Sequence, residues 1–318
     1  MGDIVHTLPA VATLKHSFPA SHLTWIVAQR WAPLLEGNPF VDAVIPFDRK
    51  SLTGLAAAWR GLRAGRFDLA IDFQGLIQSA ALAGVARADR IFGYHRSSAR
   101  EPLACAVYSN TVTPVSRHIV DQHLDLARAA GAGSVVKTFP LPMGTAEDPL
   151  PRGPFVLGNP LAGWESKQWP LAAWSELAGR LYRETGMPLV VNGPPGALEV
   201  LREIRDAQIH LSPVAGLIAA TRRATAVVGT DSGPLHLAAA LERPGVALFG
   251  PTDPERNGPY GGRMHILRAP GAVTSYKRLN VVDPSMRAIT PDQVFEALQQ
   301  QMRPSSTPSD ADISQTLR

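Results

Sequence analysis

The residues with the clearest chemical potential lie between Val227 and Leu241, in the run VVGTDSGPLHLAAAL. An apolar stretch ends there in Gly229-Thr230-Asp231-Ser232-Gly233, and Pro234 is placed to start a helix. Ligands of open α/β sheets collect at the carboxyl ends of strands. A helix N-terminus at such a place offers unpaired N–H groups and a partial positive charge to a phosphate. Ser232 and Gly233 would let the backbone approach a diphosphate, and the Asp231 carboxylate would hold sugar hydroxyls. Asp and Ser are also favoured helix caps, so this run alone reads equally well as a capped helix.

Two more loops share this character. Gly158-Asn-Pro-Leu-Ala-Gly-Trp-Glu-Ser-Lys-Gln-Trp-Pro170 follows one predicted strand and precedes a helix. Lys167 in that loop can neutralise a leaving diphosphate as a point charge, although most lysines simply lie on the surface. Gly250-Pro-Thr-Asp-Pro254 with Asn257-Gly-Pro-Tyr-Gly261 makes a third loop at a strand end, where the Pro and Gly would also suit a plain turn. A different signal is charge: Arg49, Lys50, Arg60, Arg63 and Arg66 run without an acid among them, and Arg87, Arg90, Arg96 and Arg100 follow. Such a run is either a solvated face or a landing surface for an anionic partner.

Positioning these loops requires alternating elements. The pattern predicts strands at Leu23–Ala28, Ala43–Phe47, Leu69–Phe73 and Arg90–Tyr94, with helices at Ile4–Phe18, Leu55–Ala64, Gly75–Val85 and Val120–Ala130. In the second half it predicts strands at Phe155–Gly158, Leu189–Asn192, Ala226–Gly229 and Val246–Phe249. The helices there are Leu171–Glu184, Ala197–Ala207, Val214–Arg222 and Leu235–Leu241. This alternation argues for an α/β fold with helices on both faces of parallel sheets. The Pro- and Gly-dense stretch from Pro140 to Pro154 reads as a linker. Thr290-Pro291-Asp292 caps a closing helix, and a Ser/Pro/Asp-rich tail from Arg303 is expected to be disordered. The expected division is 1–145, 154–289, a closing helix at 290–302 and a tail at 303–318. For 318 residues that agrees with the rough prior of ~150 residues per domain.

Composition narrows the function. A net charge of +4, from 31 Lys and Arg against 27 Asp and Glu, splits evenly between the halves and does not suit a nucleic-acid binder. A single cysteine, Cys105, excludes a disulfide framework or a multi-cysteine metal site. No run approaches the ~18 apolar residues of a membrane span, and the N-terminus does not read as a signal peptide. The expectation is a cytoplasmic protein whose membrane contact, if any, is peripheral.

The motifs Gly2-Asp-Ile-Val-His-Thr-Leu-Pro9, Asp72-Phe-Gln-Gly-Leu76, Asn159-Pro with Ser166-Lys-Gln-Trp-Pro170, Gly229-Thr-Asp-Ser-Gly-Pro-Leu-His236 and Phe249-Gly-Pro-Thr-Asp-Pro254 together resemble glycosyltransferase family 9. These are the ADP-heptose:lipopolysaccharide heptosyltransferases. Gly93-Tyr and Ala99-Arg-Glu-Pro-Leu-Ala104 are similar to the heptosyltransferase I branch. The resemblance implies a GT-B fold, two Rossmann-like domains facing a central cleft, and inverting transfer of heptose to a Kdo sugar of the lipid A core without a required metal or cofactor. It implies Asp3 as general base and Lys167 as the donor-side cation. Asn159, Ser166, Thr230, Asp231, Ser232, Gly233 and His236 would line the donor site, His236 being as readily structural as catalytic. Arg60, Arg63, Gln74 and Arg100 would receive the anionic acceptor. The only Asp-x-Asp, Asp310-Ala-Asp312, falls in the expected tail and is not expected to be a metal site.

Against that family pattern, the sequence begins at Met1-Gly2-Asp3 where members carry a buried strand before the Gly-Asp loop. The expectation is a first sheet whose neighbouring strands lie unpaired. Other readings are a family member that adds a later heptose or uses another nucleotide sugar, and a truncated nucleotide-sugar binder without turnover.

Overall fold

A computed structural model describes residues 1–147 and 149–303. The first half comprises α1 (Gly2–Ser17), β1 (Thr24–Ala28), β2 (Ala43–Phe47), α2 (Leu52–Ala64), β3 (Leu69–Ile71), α3 (Ile77–Ala86), β4 (Arg90–Tyr94), β5 (Asn110–Val112) and α4 (Ile119–Ala129). Short 3₁₀ turns at Gln29–Leu35 and Pro102–Val107 join them. The second half runs β6 (Val156–Asn159), α5 (Leu171–Thr185), β7 (Leu189–Gly193), α6 (Leu198–Leu201), β8 (Gln208–Leu211), α7 (Val214–Arg223), β9 (Ala226–Thr230), α8 (Gly233–Ala240), β10 (Gly245–Phe249), α9 (Pro254–Asn257), β11 (Met264–Arg268), α10 (Pro284–Arg287) and α11 (Pro291–Met302).

All strand pairs are parallel, and the second half forms one six-stranded sheet in the order β11-β10-β9-β6-β7-β8. Its central strands are buried along their whole length because helices cover both faces. That double burial is why Val227-Val228 and Val246 to Phe249 read as unbroken apolar runs rather than alternating ones. The chain builds outward from β6 through β7 to β8 and then returns to β9 on the other side of β6. The order therefore reverses between β6 and β9, which is where open α/β sheets leave a crevice.

The first half is built differently. Its strands form two separate sheets, β1-β2 and β3-β4-β5, and among the described residues no strand joins them. β1 pairs only with β2, and β3 only with β4, so each keeps one free edge. Helix α1 packs against α4 and α8 and is buried continuously from Ile4 to Leu14. Burial on every side, His6, Thr7 and Thr13 included, marks a helix enclosed by its neighbours. Ile4, Leu8, Val27, Leu34 and Leu35 share one apolar cluster with Phe155, Leu217, Leu235 and Phe249 of the second half. The two halves thus pack through a common core beside the cleft.

Several elements differ from the sequence pattern. The helix expected at Ala197–Ala207 is only α6, Leu198–Leu201, because the chain turns over Arg202–Asp206, tucking Ile204 into the core, and Asp206 takes a left-handed backbone at φ +60°. β5, β8 and β11 were not expected. All three are edge strands: β5 (Asn110–Val112) and β8 (Gln208–Leu211) hold few apolar residues, and in β11 (Met264–Arg268) the apolar residues are interrupted by His265 and closed by Arg268. α2 starts three residues earlier than expected, where the Ser51 hydroxyl accepts the Gly54 N–H at 3.1 Å. The expected tail and its Asp310-Ala-Asp312 lie outside the described residues, apart from Arg303.

Candidate functional site

The crevice between β6 and β9 collects the loops singled out by their chemistry. Parallel register sets Asn159 beside Gly229 and Leu248 beside Thr230, so the ends of β6, β9 and β10 adjoin. The loop after β9 carries Asp231 and Ser232 into α8, whose first residues are Gly233 and Pro234. Lys167 reaches in from the loop after β6 and donates to Asp231 Oδ2 at 3.0 Å, while His236 Nε2 lies 3.3 Å from Oδ1. Both members of the Lys167–Asp231 pair are largely buried. Burial pushes the Asp231 carboxyl up, but the His236 hydrogen bond and the Lys167 charge outweigh it and hold the group far below the ordinary carboxylate range. The Lys167 ammonium also lies 4.5 Å from the Trp164 ring centroid, and Arg278 sits 5.3 Å from the same ring.

Around this pair the polar atoms lack partners. Both side-chain amide atoms of Asn159 and the hydroxyls of Ser166, Thr230, Ser232 and Thr252 are buried without a hydrogen bond, as is His236 Nδ1. Buried polar groups in native proteins are nearly always paired. A cluster of orphans at one strand-end crevice is therefore a set of groups prepared for a polar ligand. The expected donor residues Asn159, Ser166, Lys167, Thr230, Asp231, Ser232, Gly233 and His236 all lie on these loops or one turn into α8. Thr252, on the Gly250–Pro254 loop already singled out, lies unpaired like them, although it was not itself among the expected site residues. A threonine in a Pro/Gly loop carries no signal of its own until its burial is known.

The facing wall comes from the first half. Asp3 is in the first turn of α1, whose N-cap makes no side-chain hydrogen bond. Its carboxylate is held instead by Arg100, through Nη2 to Oδ1 at 2.6 Å and Nη1 to Oδ2 at 3.1 Å, and by Gln74 Nε2 at 3.3 Å. Burial raises the Asp3 carboxyl, but the Arg100 charge and hydrogen bonds prevail and keep it below the usual range. Gln74 is presented by a turn that Asp72 organises. Asp72 accepts from the N–H groups of Gln74 and Gly75 at 2.8 and 3.2 Å, from Ser79 Oγ at 2.7 Å and from Tyr108 OH at 2.6 Å. Gly75 takes φ +66° there, and Gly93 must lack a side chain because a Cβ would fall 2.3 Å from the Tyr108 ring.

α1 and α8 bring the two walls together. A Cβ at Gly2 would come within 3.1 Å of the His236 ring, and the rings of His6 and His236 lie 4.2 Å apart between centroids. His6 is buried with Nε2 unpartnered, and burial lowers its pKa well below the ordinary histidine value, so it is neutral. It was not among the expected site residues, and its place three residues after Asp3 on a predicted helix is the signal that could have found it. Arg60 and Arg63 behave otherwise. Both are exposed on α2, and neither makes a hydrogen bond or ion pair with a residue of the cleft. Among the described residues no group of three or more His, Cys, Asp or Glu side chains is placed to hold a metal ion.

Comparison with known proteins follows the same lines. The sequence profile of glycosyltransferase family 9 (heptosyltransferase) matches residues 55–283. Lipopolysaccharide heptosyltransferase 1 of Pseudomonas aeruginosa is 31% identical over 299 residues, covering 84% of this chain and 81% of that protein. Lipopolysaccharide heptosyltransferase 2 of Salmonella typhimurium is 27% identical over 347 residues, covering 94% of each. The solved structure of the E. coli heptosyltransferase WaaC with ADP superposes with a TM-score of 0.75 at 26% identity, over 95% of this chain and 97% of that one.

Proposed function

The chain belongs to glycosyltransferase family 9, and from that premise we propose that it moves heptose from ADP-L-glycero-D-manno-heptose to the Kdo region of the lipopolysaccharide inner core, with inversion. The observation that carries this reading is the cluster of orphaned polar atoms at the β6/β9 crevice, facing a carboxylate across the cleft. Heptosyltransferase 1 is favoured over the later-acting heptosyltransferase 2 by its higher identity. Incubation with ADP-heptose and Kdo-lipid A, with the product read by mass, tests the proposal. Binding of ADP-heptose without a heptosylated product overturns it in favour of a non-catalytic binder.

The geometry supports a division of labour. The diphosphate would lie at the start of α8, where free N–H groups of Ser232 and Gly233 and the helix dipole meet it, with Lys167 balancing the charge that develops as ADP departs. Asn159, Ser166, Thr230 and Thr252 would satisfy the remaining polar groups of the donor. Asp3 would accept the proton of the acceptor hydroxyl as that oxygen attacks the anomeric carbon from the opposite face. The acceptor is an anionic, lipid-linked sugar on this reading, which places the enzyme at the cytoplasmic face of the inner membrane as a peripheral protein. Among the described residues no helix is long and apolar enough to cross a membrane.

Arg100 connects the base to the acceptor. An arginine fork suits a sugar carboxylate as well as it suits Asp3, so an arriving acceptor would draw Arg100 away and free the base. Arg100→Ala should therefore raise the Asp3 pKa, because burial then acts without the opposing charge. Protonation of the base would then begin at a higher pH as the solution is acidified. The acidic limb of the kcat profile should move upward in pH, and an unmoved limb would separate Arg100 from the base. Arg60 and Arg63 would engage the acceptor from α2, three residues apart on one exposed side. Their double alanine variant should raise the acceptor KM strongly and the donor KM little. Equal changes in both would remove them from acceptor binding.

A further inference from the structure

Helix α2 leaves an apolar stripe in water. It packs on β2 and α3 but buries only Ala58 and Leu62. Leu52, Leu55, Ala56, Trp59 and Arg63 follow the spacing of one helical face, and Leu52 is 85% and Trp59 55% exposed. Exposed apolar residues scattered singly need no explanation, whereas a stripe along one helix does. The elements packed next in line extend it. α3 exposes Ile77, and the turn at Pro102–Val107 packed on α3 exposes Leu103 by 76%.

Charge says what would cover this face. Arg49, Lys50, Arg60, Arg63 and Arg66 bracket the stripe, no acidic residue lies between them, and none makes an ion pair with another described residue. The Arg63 guanidinium sits over the Trp59 ring at 6.0 Å from its centroid. An aromatic body with cations beside it matches the headgroup layer of a bilayer, where the ring meets acyl chains and the cations meet phosphates. A second copy of this chain docked by the same patch would set five cations against five. The face also adjoins the acceptor side of the cleft, since α3, on which α2 packs, begins three residues after Gln74, which touches Asp3.

We propose that the exposed face of α2, with Leu52, Leu55 and Trp59 inserted and the flanking cations on phosphates, docks the protein on an anionic lipid bilayer. The inference rests on the heptosyltransferase reading only for the nature of the acceptor that the docking brings within reach. Co-sedimentation with phosphatidylcholine vesicles, with and without phosphatidylglycerol, tests the surface without any turnover. The parent should bind the anionic vesicles and not the neutral ones, and more weakly as salt is raised. Leu52→Glu/Trp59→Glu and Lys50→Glu/Arg66→Glu should each weaken that binding by about tenfold or more, with thermal unfolding unchanged because these side chains are exposed. Turnover of a deacylated, water-soluble Kdo acceptor should stay at the parent rate in Lys50→Glu/Arg66→Glu, which leaves Arg60 and Arg63 untouched, while turnover of vesicle-embedded Kdo-lipid A falls. Parent-level vesicle binding by both variants, or a parent dimer that the Leu52→Glu/Trp59→Glu change dissociates, overturns the proposal. A parent that binds vesicles through this face yet heptosylates neither acceptor leaves the surface standing and removes the heptosyltransferase reading instead.

Discussion

Asp3→Asn is expected to lower kcat by about 10²–10⁴, the usual yield of a positioned general base, while ADP-heptose affinity stays near the parent value. A sugar hydroxyl is a poor nucleophile at neutral pH, so inversion by direct displacement needs a carboxylate on the acceptor side. An aspartate at the start of a helix can also act as a cap, worth about 1 kcal/mol to α1 and nothing to catalysis. The geometry weighs against it, because the carboxylate is taken up by Arg100 and Gln74 and the cap of α1 makes no side-chain hydrogen bond. Asparagine keeps the size and can still accept one bond from Arg100, but it cannot take a proton. Single-turnover measurement with saturating donor reads the chemical step directly. A variant that turns over at the parent rate would place the base elsewhere, and neutral His6, three residues along the same helix, would be the next residue to substitute.

Lys167→Ala is expected to weaken ADP-heptose binding for two reasons that add. The lost charge-assisted contact with the diphosphate is worth about 1.5–3 kcal/mol. The variant also leaves the Asp231 carboxylate beside the diphosphate without its ion-pair partner. The sequence pattern suggests a variant with an intact fold, but the buried Lys167–Asp231 pair changes that expectation. Removing one partner of a buried ion pair costs about 3–5 kcal/mol of stability, so the melting temperature should drop as well. Lys167→Ala/Asp231→Asn separates the effects, because it removes the stranded charge and should restore most of the stability but not the donor affinity. Calorimetric titration with ADP read beside thermal unfolding checks both. Unchanged donor affinity in the single variant would take Lys167 out of the site.

Much of the donor side was legible because it is local. Gly229 to Gly233 are consecutive, and a strand ending in small and polar residues before a proline-started helix fixes a crevice and an anion-facing N-terminus together. The apolar runs of β6, β7, β9 and β10 were equally readable, since strands buried on both faces keep no polar alternation to confuse them. The exposed short strands β5, β8 and β11 had no such run, and their pairing comes from neighbours already in place.

What the linear order could not contain are the contacts made across it. Arg100 meets Asp3 from 97 positions away and Lys167 meets Asp231 from 64, and no periodicity encodes either pair. Parallel register decides that Asn159 lies beside Gly229, and burial decides that Thr252, one threonine in a turn-like loop, belongs among the unpaired donor groups. The basic run on and around α2 was visible as charge, but only the packing of that helix left the Leu52 and Trp59 stripe in water beside it. Residue types set which chemistry was available and which segments could form strands and helices. The tertiary structure selected which of those groups face one another, because ion pairs and orphaned polar atoms depend on distance and on the exclusion of water.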